Sequence, residues 1–242
     1  MPETTERLDW DSAFFGLAIA RVTLTRATSR ELAGAVRWTS DASIDCLYFL
    51  ADAADGASVR AAEENGFSLV DVRLTLERPV SPDVSSEQDD AAVRPATLDD
   101  LPVLTSIARL SHRNTRFHRD NRFDAQRADD MYAVWIERAV KGELADAAWV
   151  VDVGSGPVGY LTVSCDGVCA SIGLVAVDAS SRGLRYGERL VSSAVRWAAG
   201  QRLARLVVRT QGHEARAVRF YERAGFTTSA VQFWYHYWSG RD

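Results

Sequence analysis

Hydrophobic positions along this chain switch between a period of two and a period of three to four, and glycine, proline or a capping residue punctuates each switch. Residues 93–96 read as a short strand. Thr97 then suits a helix cap, with Asp100 placed three residues on to bond back to it. Leu101, Leu104, Ile107 and Ala108 recur at helical spacing, and a second helix is predicted over about 128–140, with Met131, Trp135, Ile136 and Ala139 on one face and Gly142 at its C-terminal stop. Alternating runs at 148–153 and 157–163 flank Gly154-Ser155-Gly156 as a β-hairpin, and another strand, 170–177, follows the turn at Asp166-Gly167. A helix over about 186–199 carries Leu190, Val191, Ala194, Val195 and Ala198 on its apolar face. A strand at 205–209, a helix ending at Gly225 and a last strand through Trp238 complete the series. The order β-α-α-β-β-β-α-β-α-β predicts an α/β (α+β) fold with a mixed central sheet covered by helices.

The stretch 79–92, with prolines, serines and acids and no periodicity, reads as a linker. It divides the chain into a smaller N-terminal α/β domain (1–80), the linker proper (81–92) and a C-terminal domain (93–242). Residues 46–70 read strand, helix, Gly66-Phe67, strand, and residues 205–229 repeat that order around Gly225-Phe226. The echo is either a shared helix stop followed by a strand or a sign that the N-terminal domain is a truncated copy of the same half-fold.

With 242 residues, 47% of them hydrophobic, the chain can bury one large core or two modest ones. The N-terminus lacks a basic and apolar leader and no apolar run approaches a membrane span, so a cytoplasmic protein without a membrane partner is expected. Cys46, Cys165 and Cys169 have no paired spacing and no neighbouring histidines, which argues against a metal site. A net charge of −5 argues against nucleic acid as a partner. The basic residues, nearly all arginine, concentrate at 113–127 and 182–223, where they could hold phosphates of small ligands. The aromatic run 232–238 could form a homodimer interface or complete the sheet.

The strongest local signal is a buried strand ending at Val177, a loop holding Arg182, Gly183, Leu184 and Arg185, and a helix opening at Tyr186-Gly187. Such a turn aims backbone N–H groups at one spot, and the helix N-terminus adds about half a positive charge, so phosphate is its natural occupant. A dinucleotide fold would place this loop after its first strand; here it follows antiparallel strands.

Arg182, Gly183 and Gly187 resemble the Arg-Gly-x-Gly-x-Gly/Ala acetyl-CoA loop of the GNAT superfamily, with Arg185 at the middle glycine. Ala217, Tyr221, Gly225 and Phe226 are similar to a second GNAT segment, with Glu214 where asparagine is usual. The resemblance implies the GNAT fold and acetyl-CoA as cofactor. Val175 and Val177 would offer main chain to it, Arg182, Gly183, Leu184, Arg185, Tyr186 and Gly187 would surround its phosphates, Ala217 and Phe220 would line its thiol end, and Tyr221 would act as general acid. Tyr221 could also simply pack. A narrower resemblance, to the bacterial dTDP-fucosamine acetyltransferases, rests on 8–16, 66–71, 115–118 and 135–142 and spans nearly the whole chain. It implies acetylation of the amine of a dTDP-4-amino-4,6-dideoxyhexose, in cell-surface polysaccharide biosynthesis, with Asp71 as base; the other reading of Asp71 is an exposed carboxylate facing Arg73. Arg116 would pair with the nucleotide diphosphate, Phe117 and Tyr132 would pack on thymine or sugar, and His118 would be a polar contact. Trp10, Phe14 and Phe15 read as anchors of the N-terminal segment, and His213 as a capping or surface group. The competing functions are the same chemistry on a peptide N-terminus or small amine, and a non-catalytic acetyl-CoA-binding module.

Overall fold

The computed structural model describes residues 3–81 and 90–240, so most of the expected linker lies outside the described residues. The N-terminal part runs β1 (Thr5–Arg7), α1 (Asp9–Phe15), β2 (Ile19–Val22), α2 (Ser29–Asp41), β3 (Cys46–Asp52), α3 (Gly56–Glu64) and β4 (Ser68–Pro79). The C-terminal part runs β5 (Val93–Pro95), α4 (Leu101–Ser111), α5 (Arg116–Arg119), α6 (Ala125–Val140), β6 (Ala147–Asp152), β7 (Pro157–Cys165), β8 (Ala170–Val177), α7 (Tyr186–Gly200), β9 (Arg205–Gln211), α8 (Ala215–Arg223) and β10 (Thr227–Trp238). A 3-10 turn at Leu98–Asp100 precedes α4, and there Thr97 and Asp100 form the expected reciprocal cap. Helix α6 starts three residues before the expected Ala128, because the Asp124 side chain accepts the Arg127 N–H and caps it at Ala125. Strand β4 reaches Pro79, the residue at which the apolar pattern stops. No helix among the described residues is long and apolar enough to cross a membrane.

The strands join into one mixed sheet of the order β1-β2-β3-β10-β4-β9-β8-β7-β6-β5. Its centre explains the internal echo. The unit β3-α3-β4 and the unit β9-α8-β10 interleave, so that β10 lies antiparallel to β3 and β4 lies antiparallel to β9, with β4 and β10 paired between them. Each copy thus places its last strand beside the first strand of the other. Both helices stop at a glycine in the left-handed region, Gly66 (φ +80°) and Gly225 (φ +84°), a conformation that costs glycine nothing sterically. The phenylalanines that follow, Phe67 and Phe226, are both buried. Strand β10 is hydrogen-bonded on both sides, so the aromatic run completes the sheet and offers no free edge.

Alternation along the strands sends side chains to two layers. On one face α7 and α8 cover a core of Leu190, Val191, Leu206, Val208 and Phe226, and α2 and α3 cover a second around Leu32, Phe49 and Tyr235. On the other face α1, α4, α5 and α6 pack over Tyr48, Val150, Tyr160 and Ala176. Each fully buried Leu or Val contributes about 1.5–3 kcal/mol, so these stripes, rather than local propensity, hold the helices in place.

Candidate active site

Strands β8 and β9 run parallel and pair only through Ala170–Ile172 and Leu206–Val208. Beyond that point they separate. The divergence coincides with a register break between β7 and β8, where the Leu174 N–H donates to the Thr162 hydroxyl at 2.9 Å instead of to a strand carbonyl. A cavity of about 760 Å³ opens between the parted strands. Its walls are the loop and helix start at Arg182–Gly187, the α8 residues Ala217, Phe220 and Tyr221, and, across the sheet, His112, Asn114, Thr115 and Tyr132.

At the loop end, the Asp178 carboxylate accepts the Ser180 N–H at 2.9 Å and the Arg182 Nε donates to the Val177 carbonyl at 3.2 Å, which folds the chain back on itself. Gly183 (φ +85°) and Arg185 (φ +61°) both take left-handed backbone. At Arg185 that conformation costs a side-chain-bearing residue about 1–2 kcal/mol, which explains the preference for glycine at this position. The Arg185 guanidinium turns along the helix and pairs with Glu188 at 2.6 Å. A Cβ on Gly187 would stand 3.2 Å from the Phe220 ring, so α7 and α8 approach closely only because this residue is glycine. Val175 and Val177 also line the cavity, and their side chains pack against the α7 core, leaving main chain to face a ligand. Leu184 is 59% exposed and does not line the cavity.

At the other end, Tyr221 is buried at the cavity wall with rings of Phe220 and Phe226 on either side. Its hydroxyl makes no hydrogen bond to the described residues, and burial pushes the phenol above its ordinary pKa. Asp71, on β4, is buried (5% exposed), not an exposed carboxylate. Burial raises its pKa; the Val72 N–H, which it accepts at 2.8 Å, and the nearby His213, Arg119 and Arg116 act in the opposite direction. His213 is exposed, in keeping with a surface group, and its Nδ1 lies 3.4 Å from the Asp71 Oδ1 while its Nε2 lies 3.1 Å from the Asn114 carbonyl. With Nε2–H donating to that carbonyl, Nδ1 faces the carboxylate, so the pair has room for one further proton. Asn114 in turn donates to Glu214 at 2.5 Å.

Tyr132 lines the cavity, stacked on the His112 ring at 4.6 Å, with burial pushing its phenol up to about 12. His112, whose Nε2 is 3.0 Å from the Tyr160 hydroxyl, is pulled down to about 4 by burial and is neutral. The other three acceptor candidates stand behind this wall. The Arg116 guanidinium sits 4.0 Å from the Tyr48 ring centre and 4.2 Å from those of Phe117 and Trp234, and donates to His236 at 3.1 Å. Phe117 is 3% exposed and stacked on Phe15 at 5.2 Å, a core position rather than an open face for a base. His118 bridges Thr115 (2.9 Å) and Asp129 (3.0 Å). Of the sequence candidates, the structure brings the loop, Tyr221 and Tyr132 to one cavity, while Asp71 lies outside its lining against His213, a contact that sequence reasoning did not anticipate, as it did not anticipate Asn114. The signal for His213 was its place directly after β9, where the alternation ends at a glycine.

Residues 109–226 match the Acetyltransferase (GNAT) family. The chain is 28% identical over 231 residues, 95% of its own length and 96% of the relative's, to a dTDP-fucosamine acetyltransferase of Escherichia coli O6:H1 (strain CFT073). It is 29% identical over 145 residues to the spore coat polysaccharide biosynthesis protein SpsD of Bacillus subtilis (strain 168), covering 59% of this chain and 49% of that one. Among solved structures, a GCN5-related N-acetyltransferase from Sphaerobacter thermophilus superposes with a TM-score of 0.65 at 14% identity, over 98% of this chain and 78% of that one.

Proposed function

The chain is an N-acetyltransferase of the GNAT family, and from that premise we propose that it transfers acetyl from acetyl-CoA to the amine of a nucleotide-linked amino-deoxysugar, a dTDP-4-amino-4,6-dideoxyhexose, for cell-surface polysaccharide synthesis. The observation that carries the cofactor half is the cavity running from the positive-φ loop at the α7 N-terminus, through the parted strands, to the unbonded Tyr221 hydroxyl. A diphosphate suits the loop end, where N–H groups and the helix dipole converge. The sugar half rests on the end-to-end similarity to a dTDP-fucosamine acetyltransferase and on the polar wall opposite Tyr221.

Acetyl-CoA, when bound, supplies the thioester that the amine attacks. The residues then divide the proton work. Tyr221, held protonated at working pH by its raised pKa, stands ready to protonate the departing sulfur. Asp71 and His213 receive the proton that the substrate ammonium must lose, and Asn114 holds His213 in register. Tyr132 lines the acceptor side, while Arg116, Phe117 and His118 brace the wall behind Thr115. We assign the acceptor side to residues 1–80, which supply Asp71, and the catalytic side to 93–242. Both substrates being cytoplasmic metabolites, the protein works in the cytoplasm.

The test is free-thiol release from acetyl-CoA with dTDP-4-amino-4,6-dideoxyhexoses, a peptide N-terminus and simple polyamines. Turnover confined to the dTDP-sugars supports the proposal. Turnover only with peptides or polyamines keeps the chemistry and overturns the acceptor, and cofactor binding without any turnover overturns catalysis.

A further inference from the structure

The sheet face that carries Asp71 also gathers arginines that the acetyl-transfer chemistry does not use. Strand pairing sets Arg73 of β4 opposite Gln211 of β9 and Gln232 of β10, and sets Thr75 opposite Arg209. Residues directly opposite in antiparallel strands share a face, and positions 71, 73 and 75 share one with each other, so Asp71, Arg73, Arg209, Gln211 and Trp234 all project to the α4–α6 side. Arg116 approaches the same patch through its contact with Trp234.

The partners of these guanidiniums are neutral. Arg73 donates to the Gln232 side-chain amide oxygen Oε1 at 2.6 and 3.2 Å and lies 5.5 Å from the Trp234 ring centre. Arg209 donates to the Ser171 hydroxyl at 3.0 Å, and Arg116 to His236. Among the described residues no carboxylate oxygen comes within 4.0 Å of any of the three. Asp71, the acid of this patch, is turned to His213. The chain has acid in excess, 33 Asp and Glu against 28 Lys and Arg, and on its surface Arg113 and Arg205 do find carboxylates. Exposed arginines, Arg209 among them, are solvated by water and need no carboxylate partner. Arg73 differs: burial, with the like charges of Arg209 and Arg116, draws even its guanidinium down to about 10. Arg73 is half-buried and Arg209 stands exposed beside it on the same face, and cations of one sign gathered without a carboxylate are what a diphosphate needs on its second side.

Resting on the acceptor proposed above, we infer that Arg73 and Arg209 grip the diphosphate of the nucleotide-linked sugar, so that the sugar amine reaches Asp71 and the parted strands beside them. Arg209 lines the cavity next to Gln211, and Arg73, opposite Gln211 in the strand pairing, stands beside that lining rather than in it. Arg116, half-buried among rings, contributes charge from behind and Trp234 holds Arg73 in place.

The experiment compares Arg73→Gln, Arg209→Gln and the double variant with the wild type, measuring KM for a dTDP-amino sugar, KM for acetyl-CoA, and the calorimetric affinity for dTDP and for inorganic pyrophosphate. A charge-assisted contact to phosphate sets the scale at about ten- to a hundred-fold per arginine. The acceptor KM and the dTDP dissociation constant should rise by that factor in each single variant. The acetyl-CoA KM should stay within about twofold, which also reports that the variants are folded. Arg73→Lys should restore only part of the loss, since a lysine keeps the charge without the paired donors. An unchanged acceptor KM with a turned-over dTDP-sugar overturns the arginine grip alone, and so does a rise that falls on acetyl-CoA. Should no nucleotide sugar be turned over, pyrophosphate binding to the wild type that is lost in the double variant keeps the anion site while the acceptor reading falls; no such binding removes both.

Discussion

Replacing Tyr221 with phenylalanine separates its chemistry from its packing. The hydroxyl makes no hydrogen bond to the described residues, so its removal strands no buried partner. The ring keeps its neighbours, Phe220 at 5.0 Å and Phe226 at 5.5 Å between centres. Stability should therefore change by less than about 1 kcal/mol, a shift of a few degrees in Tm for a chain of this size. The catalytic cost is of another order. A positioned general acid contributes about 10²- to 10⁴-fold, equivalent to roughly 3–5 kcal/mol on the barrier. Tyr221→Phe should accordingly lose two to four decades in kcat for thiol release, with the acetyl-CoA KM nearly constant because the loop end is untouched. Since burial raises the phenol, the wild-type kcat should show no loss of this acid up to about pH 9. A kcat within threefold of wild type would refute the assignment. A large drop in Tm alongside lost activity would make Tyr221 a packing residue instead.

Asp71→Asn should lower kcat/KM by about ten- to a thousand-fold near neutral pH. The wild-type profile should lose activity as pH falls through a pKa above the ordinary carboxylate range, since burial raises that of Asp71, and this acid limb should vanish in the variant when initial rates are followed across pH. Gly159→Ala would push a methyl to 2.8 Å from the Ala176 carbonyl oxygen, backbone that cannot yield, and should cost about 1–3 kcal/mol in a denaturant titration; a wild-type midpoint would contradict the close approach of β7 and β8. Half-buried His112 and buried His236 are each drawn down from 6.5 to about 4, so the unfolded chain binds their protons first. Their contribution is complete above about pH 6.5 and is lost as pH falls toward 4, by about 2 kcal/mol each at pH 5, and His112→Asn should flatten part of that slope in chemical unfolding.

Elements whose determinants are local were legible in the sequence. The apolar face of α7, the Thr97–Asp100 cap and the hairpin around Gly154 follow from periodicity and turn chemistry, and the structure has all three. Helix α5 was not legible, because four residues carry too little pattern to define a face. Nor was the place of β10. Alternation says which side chains of a strand are buried but not which strand lies beside it, and the aromatic residues of β10 suit an interior position as well as an interface. The same limit hid the meeting of Asp71 with His213, residues far apart in the chain that strand pairing brings to 3.4 Å. Arg116 shows the converse. Its composition invited a phosphate, but rings on every side hold it in the wall.

The interleaved centre of the sheet gives a physical reason for the two halves to act as one site. Because β4 lies between β9 and β10, the N-terminal copy delivers Asp71 and Arg73 to the strand that parts from β8, on the face opposite α7 and α8. The junction is tight where it matters. The Gly212 N–H donates to the Val72 carbonyl at 2.7 Å, and a Cβ on Gly212 would meet the Val72 side chain at 2.9 Å, so His213 is anchored directly beside the residue that follows Asp71. A shift of β4 by one residue would reverse which face each of its side chains takes, moving Asp71 and Arg73 together into the apolar layer under α7 and α8. The burial of Leu76 in that layer opposes the slip. Core packing on one side of β4 therefore positions the polar chemistry on the other.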